Sequence, residues 1–253
     1  MLNLLYGYIE NSLPEGKLTT AQGLRAKVDD AGAFLPFVGN TVVFLLSDEE
    51  KAALSVLQNS LYAAAGHLLA QRLSPDTFHM TLHDLANGAP GEKTQAWMQK
   101  TEPIAKRILE DIKAEDLPPI AMGGTWMFNM VNTSIVLGLA PEDSEGDVRL
   151  HRMYEALHDA VPLGYALTPH ITLAYFKPGV YSGEALETLR SALKPADISV
   201  KLDMNKLVLQ HFGDMNHYFA LYQRQAAQRA ACSIVMELCQ NGLQRILTQA
   251  SPY

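Results

Sequence analysis

The chain is nearly without cysteine: two residues in 253, Cys232 and Cys239. They lie seven positions apart in a segment of helical periodicity, too far along the axis to be bridged. This excludes a disulfide scaffold and predicts a reduced, cytoplasmic protein. A basic excess is also missing. With 20 basic against 27 acidic residues the net charge is -7, which argues against a groove for long nucleic acid while leaving room for one small nucleotide. No run of about 18 apolar residues is present, so no membrane span is expected. The apolar start, Met1 to Tyr8, has no basic flank and soon meets Glu10, so no secretory signal is expected. The 17 Gly and 13 Pro follow no period, which excludes collagen-like repeats. No His-Glu-x-x-His and no paired cysteines appear, so neither a metal nor another cofactor is expected. Gly123-Gly124 lacks the Lys and the following helix of a phosphate loop.

What remains is a chain of ordinary globular composition, 48% hydrophobic, that alternates strands and helices. Residues 1–39 read as an irregular N-terminal extension. Thr41–Leu46 reads as a buried strand, and Ser47 with Glu50 as a capping box opening a helix to about Gln71. Thr77–Leu85 alternates, with Phe78, Met80 and Leu82 on one face and His79, Thr81 and His83 on the other. A helical region over 93–114 should break or restart at Pro103. A hairpin is expected around Asn129-Met130, then a helix over 146–161 and a second alternating strand, Thr168–Phe176. A helix over 182–193 and strands near 198–211 and 215–222 follow, and an amphipathic helix over 224–248 ends the chain. Strand, helix and alternating strand thus recur about 91 residues apart. The prediction is an α+β fold, a bilobal pseudo-two-fold repeat of antiparallel sheets flanked by helices, with a cleft between the lobes. The repeat occupies 40–223, and the C-terminal helix lies outside it.

The informative residues are His79-Met80-Thr81-Leu82 and His170-Ile171-Thr172-Leu173, which contain the only His-x-Thr tripeptides of the chain. Side chains at i and i+2 of a strand share a face. Each motif therefore presents an imidazole beside a hydroxyl. Two imidazoles suit acid–base chemistry, one neutral and one protonated. Two hydroxyls can donate to the non-bridging oxygens of a phosphate.

These motifs, including the run Pro169-His170-Ile171-Thr172-Leu173-Ala174, resemble those of the two-histidine (2H) phosphoesterase superfamily, the cyclic phosphodiesterase and 2′-5′ RNA ligase-like proteins. The stretch Leu35-Pro36-Phe37-Val38-Gly39-Asn40-Thr41 is similar to an uncharacterised bacterial subgroup of it. The resemblance implies His79 and His170 as the catalytic pair and Thr81 and Thr172 as phosphate ligands. It implies a metal-independent hydrolase of a cyclic phosphate: a 2′,3′-cyclic nucleotide or RNA end, or cyclic ADP-ribose phosphate. A hydrolase of 2′,5′-linked oligonucleotides, or a nucleotide-binding module without turnover, are the alternatives. The C-terminal helix is not part of the pattern.

Around the motifs, His83 shares the predicted face of His79. Trp126, Phe128, Tyr165 and Tyr175 lie in segments next to the motif strands, where a ring could stack on a base. Tyr175 has the parity of Ile171 and Leu173 and should face the core unless the strand ends first. Lys177 and Arg149 are candidate cations near a phosphate. The partner is expected to be a small nucleotide or short RNA end, with no membrane involved, and the C-terminal helix is a possible dimer contact.

Overall fold

The protein is described from a computed structural model, which covers residues 13–222. The C-terminal helix, Cys232 and Cys239 fall outside the described residues. After a two-residue strand β1 (Leu18–Thr19) come β2 (Val38–Leu45), α1 (Asp48–Ala65), β3 (His79–Gly88), α2 (Glu92–Ala114), β4 (Ile120–Met130) and β5 (Ser134–Pro141). Then follow α3 (Ser144–Ala160), β6 (His170–Tyr175), β7 (Val180–Tyr181), α4 (Gly183–Ala192), β8 (Ser199–Leu202), β9 (Leu207–Asp214) and β10 (His217–Tyr222).

Among the described residues, β10-β9-β2-β3-β6-β5-β4-β8 form one antiparallel sheet in that order, and β1 pairs with β7 beside it. The larger sheet is two four-stranded halves. β2-α1-β3 in one corresponds to β5-α3-β6 in the other. The halves meet where β3 pairs with β6 through the single register pair Met80–Ile171. Those two residues sit between the His and the Thr of each motif, so the pseudo-two-fold relation runs through the motif strands. The fold is thus the predicted α+β arrangement of antiparallel sheet flanked by helices.

Local chemistry explains the elements. β2 is buried at six of its eight positions and lies between β3 and β9, as a central strand should. The capping box forms: Ser47 Oγ accepts from Glu50 N, and Glu50 Oε2 accepts from Ser47 N at 2.6 Å. Leu54, Leu61 and Ala65 of α1 enter the core, as do Ala105, Leu109 and Ile112 of α2.

Several expectations are corrected. α1 stops at Ala65, and a short 3-10 turn over Gly66–Leu68 replaces its last turn. α2 does not break at Pro103 but continues through it. In the turn before the proline Thr101 Oγ1 donates to Trp97 O at 3.1 Å and Asn40 Nδ2 to Met98 O at 3.3 Å, while the carbonyl that the missing N–H of Pro103 would have bonded is that of Gln99. The hairpin turns at 131–133, where Val131 and Asn132 have φ of 45° and 58°. Asn129 Oδ1 accepts from Asn132 N there at 3.0 Å. The strand expected over 198–211 is two strands at opposite sides of the sheet, β8 against β4 and β9 against β2.

The segment before β2 is a strap. Leu18, Leu24, Val28 and Phe37 are buried in the common core. Burying each such side chain is worth about 1.5–3 kcal/mol relative to leaving it in water.

Candidate active site

The seam between the half-sheets opens into a cleft of about 220 Å³ whose wall includes His79, Thr81, His170 and Thr172. The structure therefore brings the four motif residues together, all half-buried. Their placement follows from the register. Carried one residue either way from Met80–Ile171, an antiparallel ladder puts His79 across from Thr172 and Thr81 across from His170.

Each histidine is held in the same way. His79 Nδ1 lies 2.7 Å from Thr77 O, and His170 Nδ1 lies 2.6 Å from Thr168 O. A carbonyl only accepts, so Nδ1 carries the proton in both rings, and the neutral form leaves Nε2 as the free base. Burial pushes the His79 imidazole down to about 4, against the upward pull of its hydrogen bond to Thr77 and of the Asp84 carboxylate. Burial also holds His170 below its ordinary value, opposed by Thr168 O and again Asp84. Without a ligand both rings are neutral at pH 7.

Beyond the motifs, the two strands depart from simple alternation. Val43 pairs with Thr81 but Val42 pairs with His83, so Leu82 is an extra residue in β3. Val136 pairs with Thr172 but Ile135 pairs with Ala174, so Leu173 is an extra residue in β6. These are equivalent positions of the two motifs. A bulge moves the following side chains to the opposite face. Asp84, rather than His83, thus follows Thr81 on the cleft face, and Tyr175 follows Thr172.

Both outcomes correct the alternation. Tyr175 lines the cleft, where its place beside the motif made it a candidate, and not the core to which its parity pointed. His83 borders the cleft but is only 1% exposed, and its ring turns toward α3, 5.4 Å from Tyr154 and 6.1 Å from His158 between ring centres. Neither ring nitrogen has a hydrogen-bond partner among the described residues, and burial pushes its pKa down to about 4. Tyr165 does reach the cleft, where its hydroxyl donates to Asp84 Oδ2 at 2.9 Å. Trp126 does not; it forms an isolated bridge with Pro195. Lys177 lies against Gly32 and Arg149 on α3, so neither supplies charge to the cleft.

Periodicity missed three contributors. Asp84 is gripped by Tyr165 and by Thr41 Oγ1 at 3.3 Å. Tyr218 of β10 stands edge-on to His79, 5.0 Å between ring centres, and burial raises its hydroxyl pKa. Lys27 of the N-terminal strap supplies the cation that Lys177 and Arg149 do not. Asp84 carried a readable signal only through its closeness to the motif; Tyr218 and Lys27 carried none. Among the described residues no cluster of three or more His, Cys, Asp or Glu is placed to hold a metal ion, and no helix is long and apolar enough to cross a membrane.

No family model and no curated protein matches the chain. Solved structures do. A conserved protein of unknown function from Agrobacterium tumefaciens superposes with a TM-score of 0.56 at 18% identity, covering 81% of this chain and 94% of its own. A Thermus thermophilus protein gives 0.49 at 16%, covering 73% and 95%. Escherichia coli LigT in its apo form gives 0.47 at 13%, covering 74% and 96%. The likeness to the Agrobacterium protein is one of fold.

Proposed function

We propose that the protein is a two-histidine phosphodiesterase that hydrolyses a cyclic phosphate on a small nucleotide or RNA end, without a metal. One observation carries this reading: two histidines, each with Nδ1 tied to a carbonyl so that Nε2 is the basic nitrogen, flank one cleft together with two threonine hydroxyls. The fold and the bulged strands support it by placing the four groups in equivalent pairs.

The chemistry balances with these groups alone. A neutral imidazole takes the proton of water as the water oxygen bonds to phosphorus. The bond from phosphorus to one ribose oxygen breaks, and the second imidazole, protonated, gives that oxygen its proton. Thr81 and Thr172 donate to the non-bridging oxygens as charge develops. The histidines end with their protonation exchanged and reset through solvent.

The two halves are not equal, and the inequality favours one assignment. Asp84 follows Thr81 on the cleft face, Thr81 lies across from His170, and Tyr165, five residues before His170, binds the carboxylate. The carboxylate supports an imidazolium at His170 as proton donor. His79, the ring pushed down to about 4, is the base.

The experiment is turnover of 2′,3′-cyclic nucleotides and short 2′,5′-linked oligonucleotides in EDTA. Hydrolysis of the cyclic substrates, with a bell-shaped kcat/KM profile whose maximum lies between about pH 4 and 6.5, is expected. The acid limb reflects His79 and the alkaline limb His170. Turnover of the 2′,5′ linkage alone would change the substrate class. Binding without any turnover would make the protein a nucleotide-binding module.

A further inference from the structure

Lys27 is a charged side chain of the cleft that neither motif supplies. It comes from the strap before β2, and its backbone is fixed on both sides. Lys27 N donates to Leu24 O at 2.9 Å, Leu35 N donates to Lys27 O at 2.9 Å, and Val28 bridges Phe34. Leu24 and Val28 are fully buried, so the lysine is anchored rather than carried on a free tail.

Lysine ordinarily leaves its ammonium in water. Here the ammonium lies over two rings, 5.0 Å from the centre of Phe37 and 5.8 Å from that of Tyr175. No carboxylate of the described residues is within ion-pair distance of it. Asp84, the carboxylate on the cleft wall, is engaged by Tyr165 and Thr41 instead. Tyr175 follows Thr172 on the cleft face, roughly 7 Å along the strand. Thr172 and Lys27 thus line the same cleft, with Tyr175 next along the strand from the one and under the ammonium of the other.

We infer that Lys27 forms a second anion subsite, so that the preferred substrate carries a further phosphate one ribose away from the phosphate that is cleaved. The substrate class is then a nucleoside cyclic phosphate that also bears a 5′-phosphate, or the terminal residue of a short RNA, rather than a nucleoside cyclic monophosphate. This rests on the phosphodiesterase reading and narrows it.

The test compares kcat/KM for adenosine 2′,3′-cyclic phosphate with and without a 5′-phosphate, in the wild type, Lys27→Ala, Lys27→Gln and Lys27→Arg. The wild type should prefer the 5′-phosphorylated substrate by about tenfold or more, the worth of one charge-assisted contact. The preference should fall to within about twofold of unity in Lys27→Ala and Lys27→Gln and persist in Lys27→Arg. No preference in the wild type, or one that survives in Lys27→Gln, overturns the inference. Calorimetric binding of adenosine 3′,5′-bisphosphate against the 3′-monophosphate, in the same proteins, needs no turnover. Tighter, Lys27-dependent binding of the bisphosphate by a protein that hydrolyses nothing would keep the subsite and remove the phosphodiesterase reading. Turnover without a 5′-phosphate effect would do the reverse.

Discussion

His79 and His170 hold equivalent positions with equivalent hydrogen bonds, but the residues next on the cleft face differ: Asp84 follows Thr81, and Tyr175 follows Thr172. A carboxylate near an imidazole favours its charged form. Removing it should lower both histidine pKa values further. Asp84→Asn is therefore expected to move both limbs of the kcat/KM profile to lower pH, by about half a unit to one unit. The alkaline limb should move more, because it reports His170. A profile that keeps its position would remove Asp84 from the electrostatics of the site. At this scale the sequence was readable as far as the i, i+2 spacing reached, and His79, Thr81, His170 and Thr172 do share one cleft. It stopped being readable at Leu82 and Leu173. An extra residue there reverses parity, and a leucine in a bulge looks like a leucine in a regular strand. His83 was thereby given the face that Asp84 occupies, and parity pointed Tyr175 to the core although its place beside the motif made it a pocket candidate.

The bulges are elements in their own right, and buried polar side chains support them. Gln58 of α1 is only 3% exposed and donates to Leu173 O at 3.0 Å, taking a carbonyl at the β6 bulge. Asn40 of β2 is fully buried. Its Oδ1 accepts from Ala86 N at 3.0 Å, beside the second register shift of β3, and its Nδ2 reaches toward α2. Truncating such a residue leaves a buried donor unpaired. Asn40→Ala is expected to cost about 1–3 kcal/mol in denaturant unfolding and to lower kcat as well, because Thr41 and Asp84 lie next along the same ladder. A variant as stable and active as the wild type would contradict this role. Helices were legible because apolar spacing and Ser47–Glu50 are local signals. The passage of α2 through Pro103 was not, since tertiary packing decides it: Thr101 before the proline and Ala105, Leu109 and Ile112 after it are all buried. The division of 198–211 between β8 and β9 was hidden for the same reason: partners, not residues, decide it.

Across the whole molecule, the strap of residues 13–37 closes the core and delivers Lys27, while the cleft leaves neutral histidines in a poorly solvated seam. His79 and His83 are both pushed down to about 4, and His170 is lowered too. An unfolded chain binds protons on these rings below about pH 6.5, and the folded one refuses them. Stability is therefore full above pH 6.5 and declines as pH falls from 6.5 toward 4. The thermal midpoint should drop over that window, by several degrees at its acid end. His83→Phe, which fills the same pocket beside Tyr154 without a titratable nitrogen, should make the decline shallower. An unchanged slope would place the acid sensitivity elsewhere. The central claim, that one histidine takes a proton and the other gives one, is tested most directly by varying the leaving group. Hydrolysis of 2′,3′-cyclic AMP and of bis(p-nitrophenyl) phosphate would be measured in EDTA for the wild type, His79→Ala and His170→Ala. A nitrophenolate leaves without needing a proton, so His170→Ala should lose about 10²–10⁴-fold on the cyclic nucleotide and recover most of that on the aryl diester. His79→Ala should lose activity on both. Equal losses of the two variants on both substrates would contradict the assignment of roles, and undiminished turnover in either variant would contradict two-histidine catalysis itself.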